Sequence, residues 1–271
     1  MSQIAEQRFE FGKNWHDFIQ KNYGPEKVAI SKSHILKFMG RENLDGLTFL
    51  DIGCGSGLHS IAALQAGAAS VHGFDYDINS VTATNYVRTQ AGNPSNWTVE
   101  QGSVLDDEFM DRLPQYDMVY SWGVLHHTGD VWHAIRNAAA RVKPGGLFYI
   151  ALYSADVRID PPPQFWLDVK REYVSAGWLK RWCMDLWYVW RFDLGRNLFN
   201  LPKFIIKLKT YKQMRGMSVF TDIRDWLGGW PMEFVYDADA IKACEEHGLT
   251  LEKIGAGEAN TEFLFVRKTT P

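Results

Sequence analysis

The sequence predicts an α/β fold built on a doubly wound, mostly parallel sheet of seven strands with helices on both faces. Three observations predict it. Short apolar runs alternate with amphipathic segments from Thr48 to Tyr153; one of the runs leads into a glycine turn at Gly53–Gly57; and after a long interruption the pattern closes with one helix and two strands. Alternation of this kind builds parallel strands joined by crossover helices. The 271 residues are 46% hydrophobic and 23% charged, which suits one large domain carrying an elaboration and excludes a disordered or fibrous chain. A net charge of -3 argues against coating nucleic acid through the overall field.

Residues 4–40 read as helical. Phe9, Phe11, Trp15, Phe18 and Ile19 recur at helical spacing, and a Gly24-Pro25 break precedes Val28, Ile30, Ile35, Leu36 and Met39. Strands follow at TFLDI, SVHGFD, WTVEQ, YDMVYS and GLFYIAL, the last after a turn at Lys143-Pro144-Gly145-Gly146. Helices between them are expected over LHSIAALQAGA, NSVTATNYVRTQ, DDEFMDRL and VWHAIRNAAARVK. The grammar resumes near Tyr236 with DADAIKACEEHG, LTLEKIG and EFLFVRK. The domains are therefore an N-terminal helical segment (1–46), an α/β domain (47–153 and 236–271), and a Trp-rich helical cap inserted after the fifth strand (154–235). That insertion far exceeds the roughly 2–6 residues of an ordinary loop in such folds. Within it, Trp178, Trp182, Leu186 and Trp190 recur every four residues as one helical stripe. Pro202 suits a helix's first turn, and Gly228-Gly229 suits a helix end.

Cys54, Cys183 and Cys244 form no C-x-x-C pair, and their odd number does not suit a disulfide framework. The first residues lack the basic-then-apolar pattern of a signal peptide, and LWYVW is interrupted at once by Arg191 and Asp193, so no transmembrane segment is expected. A cytoplasmic location is the expectation.

The sharpest motif is Phe49-Leu50-Asp51-Ile52-Gly53-Cys54-Gly55-Ser56-Gly57: strand, glycine turn, then helix. Glycines there permit positive φ and close approach of a ligand to the backbone, and the following helix offers free N–H groups. A phosphate loop is excluded because no Gly-Lys-Ser/Thr follows, and the third glycine comes one residue too early for the dinucleotide fingerprint. Asp51, just before the turn, would repel a pyrophosphate and favour a cofactor carrying an amino group and a sulfonium, which points to S-adenosylmethionine. Phe74-Asp75 ends the second strand about twenty residues on, the spacing at which an acid binds ribose hydroxyls.

With Gly102-Ser103-Val104-Leu105-Asp106 and Tyr116–Trp122 following in order, the chain resembles the class I S-adenosylmethionine-dependent methyltransferases, whose sheet is Rossmann-like with an antiparallel final strand. The resemblance covers about residues 47–153, and the two last strands match the family's closing pair. It implies that Gly53, Gly55 and Gly57, with Asp51, line the methionine end and that Asp75, with Tyr76 beside it, meets the ribose. Ser103 and Val104 would meet the adenine; many members carry Asp at the position of Ser103, and Asp106 could replace it, or both could cap a helix. Ser121 and Trp122 would border the methyl group.

Methyl transfer needs a nucleophile aligned in line with methyl and sulfur, and a proton acceptor where the nucleophile carries a proton. After the fourth strand the chain reads Gly123-Val124-Leu125-His126-His127-Thr128-Gly129. His127, where many small-molecule members have a histidine, or His126 is the candidate base, with Tyr153 as a hydrogen-bonding aid; either histidine could instead be structural. No third ligand accompanies them, so no metal is expected. The Asn/Asp-Pro-Pro-aromatic signature and a Pro-Cys pair are missing at the corresponding place, which excludes DNA as the expected acceptor. The N-terminal segment is similar to helices that close over the cofactor in this family, which would bring Phe11, Trp15 or His16 near the methyl; a plain amphipathic helix is the other reading. Phe11–Trp15, Ser121–Gly129 and Gly216–Pro231 together resemble a bacterial small-molecule subfamily, with Trp226 and Trp230 at a Gly-Gly-aromatic-Pro pocket rim.

Between Gly195 and Thr221 stand six basic residues (Arg196, Lys203, Lys207, Lys209, Lys212, Arg215) and no acidic one. This stretch reads as a solvated face, as an attractor for an anionic small acceptor, or as a surface for RNA or an anionic membrane. The expected function is methyl transfer to a small acceptor under an aromatic cap, on oxygen before sulfur or nitrogen. The alternatives are methylation of RNA of the tRNA type and a non-catalytic cofactor-binding interaction protein. A homodimer through the cap or the N-terminal helices is compatible with the pattern.

Overall fold

A computed structural model describes Ile19 and residues 23–157, 160–215, 218–257 and 259–269, without the side chains of 212–215. Phe11, Trp15 and His16 lie outside the described residues. Two compact units are found, divided at Pro161 and Pro231. One carries the sheet; the other, Pro161–Pro231, is helical.

The sheet unit begins with helix α1 (Pro25–Met39), whose N-terminal proline costs no hydrogen bond and whose end is closed by Gly40 in the left-handed conformation. Then follow β1 (Thr48–Ile52), α2 (Leu58–Gln65), β2 (Ser70–Asp75), α3 (Ile78–Gln90), β3 (Trp97–Gln101), α4 (Asp107–Arg112), β4 (Tyr116–Trp122), α5 (Val131–Ala140) and β5 (Val142–Tyr153). Acidic side chains start three of these helices: Asp77, Asp106 and Asp130 accept N–H groups of Asn79, Phe109 and His133. Strand order is β3-β2-β1-β4-β5-β7-β6, where β6 is Leu249–Ala256 and β7 Asn260–Arg267. Strands β1 to β5 pair in parallel, and β7 runs antiparallel between β5 and β6. The expected seven-stranded, Rossmann-like architecture with its antiparallel final strand is observed.

Each strand alternates its side chains between two cores, as the two-residue period requires. Leu50, Val119, Phe148 and Ile150 face α4, α5 and the helix before β6. Phe49, Met118, Tyr120 and Tyr149 face α1, α2 and α3, where Ile35, Ile61 and Val87 are buried. The Lys143-Pro144-Gly145-Gly146 turn lies inside β5: Val142 pairs with Tyr116 and Leu147 with Met118, so those four residues loop out as an irregularity in the ladder. Gly145 takes φ 74°, which suits the excursion. On α1, Ile30 was expected in the apolar stripe but is exposed, because Val28, Ile35 and Met39 define the buried face.

The helical unit contains α6 (Pro163–Ser175), α7 (Trp178–Tyr188), α8 (Leu201–Arg215) and α9 (Val219–Gly228). Helix α9 is central: α6, α7 and α8 all pack on it, and Val219, Ile223 and Leu227 are buried. Trp166 is the aromatic hub, 5.1 Å from Trp226 and 5.2 Å from Phe192. Buried Asp185 accepts Tyr173 OH at 2.9 Å and Arg224 Nε at 2.8 Å. Lys170 is buried over the Trp226 ring and donates to its carbonyl oxygen; burial pushes the amine down to about 7. The Trp178–Trp190 stripe points the other way, into solvent. Residues 154–157 and 232–235 belong with the sheet: Ser154 bridges Val235, and Ala155 N–H donates to Val235 O at 2.8 Å. After them comes the last helix, α10 (Asp237–Glu246).

One side chain clips three strands together. Asp117 on β4 accepts Thr48 N–H (2.9 Å) and Oγ–H (2.6 Å) from β1 and Lys143 Nζ (2.9 Å) from β5. Burial would raise this carboxyl, but the Thr48 and Lys143 contacts outweigh it and hold it at about 2. Asp117→Ala strands the Thr48 amide and is expected to cost about 1–3 kcal/mol at pH 7. A group held below its unfolded value stabilises above that value and loses its contribution as pH falls, so the gap between the two proteins should narrow from about pH 4 toward pH 2. Urea unfolding across that range measures it.

Candidate active site

The predicted cofactor residues meet at the carboxyl ends of β1, β2 and β4, where open α/β sheets place ligands. Gly53, Gly55 and Gly57 have φ of 74°, 53° and 76°, conformations that side-chain-bearing residues rarely adopt. Gly57 is the residue before α2, and no side chain caps that helix, which leaves its first amides available to a ligand. A Cβ at Gly57 would lie 3.0 Å from the Thr84 backbone, and one at Gly53 would lie 2.5 Å from the Val124 methyls. The turn thus packs directly on the loop that leads to the histidines.

Asp75 closes the turn from β2, accepting Gly55 N–H at 2.9 Å and Asp77 N–H at 2.9 Å. Burial pushes its carboxyl up to about 6 against the pull of those amides. Asp51 is buried and accepts Ser60 Oγ–H at 2.6 Å; burial pushes it up to about 7, Ser60 pulls the other way, and Asp75 adds repulsion. Tyr76 follows Asp75 with its side chain exposed. Ser103 Oγ accepts Leu105 N–H, and Asp106 caps α4 through Phe109 N–H, while Val104 is buried among core residues. Ser121 Oγ donates to Ile52 O at 3.0 Å and so ties the end of β4 to the start of the glycine turn.

Both histidines lie past the end of β4 and meet Tyr153, the last residue of β5. The rings of His126 and His127 are 4.5 Å apart, and Tyr153 lies 4.4 Å from His126 and 5.8 Å from His127. His126 is buried, and its Nδ1 accepts Tyr153 N–H at 3.3 Å, so in the neutral ring the proton sits on Nε2. His127 is only partly buried. The loop is braced by Glu233, whose N–H donates to His126 O and whose carboxylate accepts Val131 N–H. Trp226 and Trp230 belong to the helical unit, where Arg171 lies over the Trp230 ring at 5.1 Å.

A second polar group escaped the sequence reading. Glu262 on β7 accepts Trp122 Nε1–H (2.9 Å) and Tyr149 OH (2.9 Å) and is hydrogen-bonded to His34 Nε2 (3.1 Å) on α1. His59 joins it, 5.2 Å from Tyr120 and 6.2 Å from Trp122, and burial pushes its imidazole down to about 4. These residues come from opposite ends of the chain, so no local spacing could group them.

A family profile described as a methyltransferase domain matches residues 24–204. The chain belongs to this methyltransferase family. It is 30% identical over 208 residues to a protein of Paramagnetospirillum magneticum named ubiquinone biosynthesis O-methyltransferase, covering 72% of this chain and 74% of that relative. A Methylobacterium protein of the same name is 34% identical over 160 residues, covering 58% of this chain and 59% of the relative. In fold it is similar to the magnesium protoporphyrin IX methyltransferase of Synechocystis solved with bound S-adenosylhomocysteine (TM-score 0.54, 15% identity, 94% of each chain covered). The methyltransferase uses S-adenosylmethionine, and the residues present fit it: three left-handed glycines before an uncapped helix, and a carboxylate at the end of β2.

Two outcomes are expected of this methyltransferase. Gly57→Ala forces a Cβ toward Thr84 in a left-handed conformation and should weaken S-adenosylhomocysteine binding at least ten-fold by calorimetry, with about 1–2 kcal/mol lost in unfolding. Asp51 keeps its proton in the folded chain up to about pH 7, whereas an unfolded aspartic acid releases it near 4. Folding therefore takes up a proton in that interval, and stability declines as pH rises from about 4 to about 7. Asp51→Asn should flatten the decline, leaving only the part due to Asp75; a parent-like slope in urea midpoints would discard the assignment.

Proposed function

We propose that the enzyme methylates a hydroxyl oxygen of a small-molecule acceptor, with His127 as the general base. The observation that carries this reading is the convergence of His126, His127 and Tyr153 beside the glycine turn. The name of the P. magneticum relative, an O-methyltransferase of ubiquinone biosynthesis, supports oxygen as the atom methylated.

In this reading Gly53, Gly55, Gly57 and Asp51 hold the methionine end of the cofactor, Asp75 the ribose hydroxyls, and Ser103, Val104 and Asp106 the adenine side. Ser121 and Trp122 flank the methyl. The bound sulfonium supplies an electrophilic methyl group. With a hydroxyl acceptor in place, the partly buried His127 would take the hydroxyl proton as the acceptor oxygen becomes the nucleophile. Buried His126 is the positioning partner: its bond to the Tyr153 amide fixes its ring, and the His127 ring lies 4.5 Å away, tilted by 49°. Phe11, Trp15, His16, Trp226 and Trp230 are proposed as acceptor-binding residues on the resemblance of the sequence alone.

His127→Ala should lower kcat for a hydroxyl acceptor about 10²–10⁴-fold while S-adenosylhomocysteine affinity stays normal. Release of S-adenosylhomocysteine across a panel of phenols, thiols and amines reads both the rate and the atom methylated. Undiminished turnover in His126→Ala/His127→Ala would remove the base and leave alignment as the catalytic device. Preference for a thiol or amine would replace oxygen.

A further inference from the structure

Most of the exposed large apolar side chains among the described residues fall between Trp178 and Leu208, all within the helical unit. On α7 and the turn after it, Trp178, Trp182, Leu186 and Trp190 share one face and are exposed, Trp178 by 80%. Four-residue steps over twelve residues make this a ridge about 18 Å long. The connection to α8 presents Leu198 and Phe199, the latter 92% exposed. Among its described side chains, helix α8 turns Phe204, Lys207 and Tyr211 inward and leaves Leu201, Ile205, Ile206 and Leu208 outside. Folding ordinarily buries such side chains, and a helical ridge of exposed tryptophans with further large apolar side chains left outside nearby in sequence marks an interaction site.

Charge says what lies opposite. The chain carries a net -3, yet from Gly195 to Thr221 it has six bases and no acid. The two acids between Trp178 and Arg215 are turned inward: Asp185 onto Tyr173 and Arg224, and Asp193 onto Lys207. Arg196, Lys203 and Lys209 are exposed and have no acidic partner among the described residues. The exposed side chains of α7, the connection and α8 therefore combine protruding tryptophans, a phenylalanine and branched aliphatics with cations that have no acidic partner among the described residues.

We propose that this face of the helical unit docks on the surface of an anionic phospholipid bilayer. Indole rings favour the boundary between headgroups and acyl chains, aliphatic side chains enter the acyl region, and lysines reach phosphates while their stems stay apolar. A second copy of the chain fits less well, because a two-fold contact would set the basic stretches near each other. RNA fits less well too, because leucines and isoleucines offer no flat face for a base. No helix among the described residues is long and apolar enough to cross a membrane, so the contact is with one leaflet. This inference does not depend on which acceptor is methylated.

The test uses the full chain and vesicles of phosphatidylcholine alone or with one third phosphatidylglycerol, read by co-sedimentation and by the blue shift of tryptophan fluorescence. Binding is expected to the anionic vesicles at least ten-fold tighter than to the neutral ones, and weaker in high salt. Trp178→Ser/Trp182→Ser/Phe199→Ser should lose at least ten-fold, as should Lys203→Glu/Lys209→Glu, while circular dichroism and S-adenosylhomocysteine affinity stay as in the parent. Failure to bind anionic vesicles overturns the proposal, and so does equal binding by both variants. Sedimentation showing a dimer that both variants dissolve, with no vesicle binding, assigns the face to a second copy. Salt-sensitive binding of single-stranded RNA without vesicle binding assigns it to nucleic acid.

Discussion

Asp75 ends β2 with both carboxylate oxygens committed to backbone, Oδ2 to the Gly55 amide and Oδ1 to the Asp77 amide. That pair of contacts is the constraint on which the site depends. Three left-handed glycines in five residues have little intrinsic preference for one shape, and an acceptor fixed by a neighbouring strand selects it. The Gly53 and Cys54 amides bond to Phe74 O, so the same strand end grips the turn twice. On its other side the turn meets Val124, two residues before His126, and Ser121 ties β4 to Ile52. Cofactor loop and histidine loop are therefore set by one local packing arrangement, and a shift in either is felt by the other.

Polar groups at this site are buried at a cost. Asp51 and Asp75 both have carboxyls pushed up by removal from water, offset by Ser60 in one case and by backbone amides in the other. An arrangement of this kind is poorly balanced without a polar ligand and better balanced with one that offers hydroxyl or ammonium donors. Stability and binding draw on the same residues here.

The sheet was legible because each strand is a short apolar run with turn chemistry at both ends, and the glycine motif marked where β1 hands over to a helix. The histidine pair and Tyr153 were legible because both lie just past predicted strand ends. The Glu262–Trp122–Tyr149–His34 group was not, because its members are up to some 230 positions apart and meet only through β7 and α1. Asp106 shows a different limit: the residue pattern is the same for an adenine contact and a helix cap, and the structure shows the cap. The α7 stripe was correctly read as one face, but periodicity marks a face without saying which way it turns. Asp185, the buried partner of Tyr173 and Arg224, decides that orientation, and a lone acid in an aromatic helix reads from sequence as the solvated side.

The position of β7 in the sheet has a consequence for how the protein is made. Strand β5 pairs with β4 on one edge and with β7 on the other, and its residues Phe148 to Leu152 are fully buried in the finished fold. More than a hundred residues, the helical unit included, separate Tyr153 from the strand that covers that edge. At ribosomal speeds of about 5–20 residues per second, an apolar strand edge stays open for roughly 5–20 seconds in every nascent chain. Throughout that interval the edge of β5 is a template for pairing with a neighbouring chain, until Asn260–Arg267 arrives to cover it.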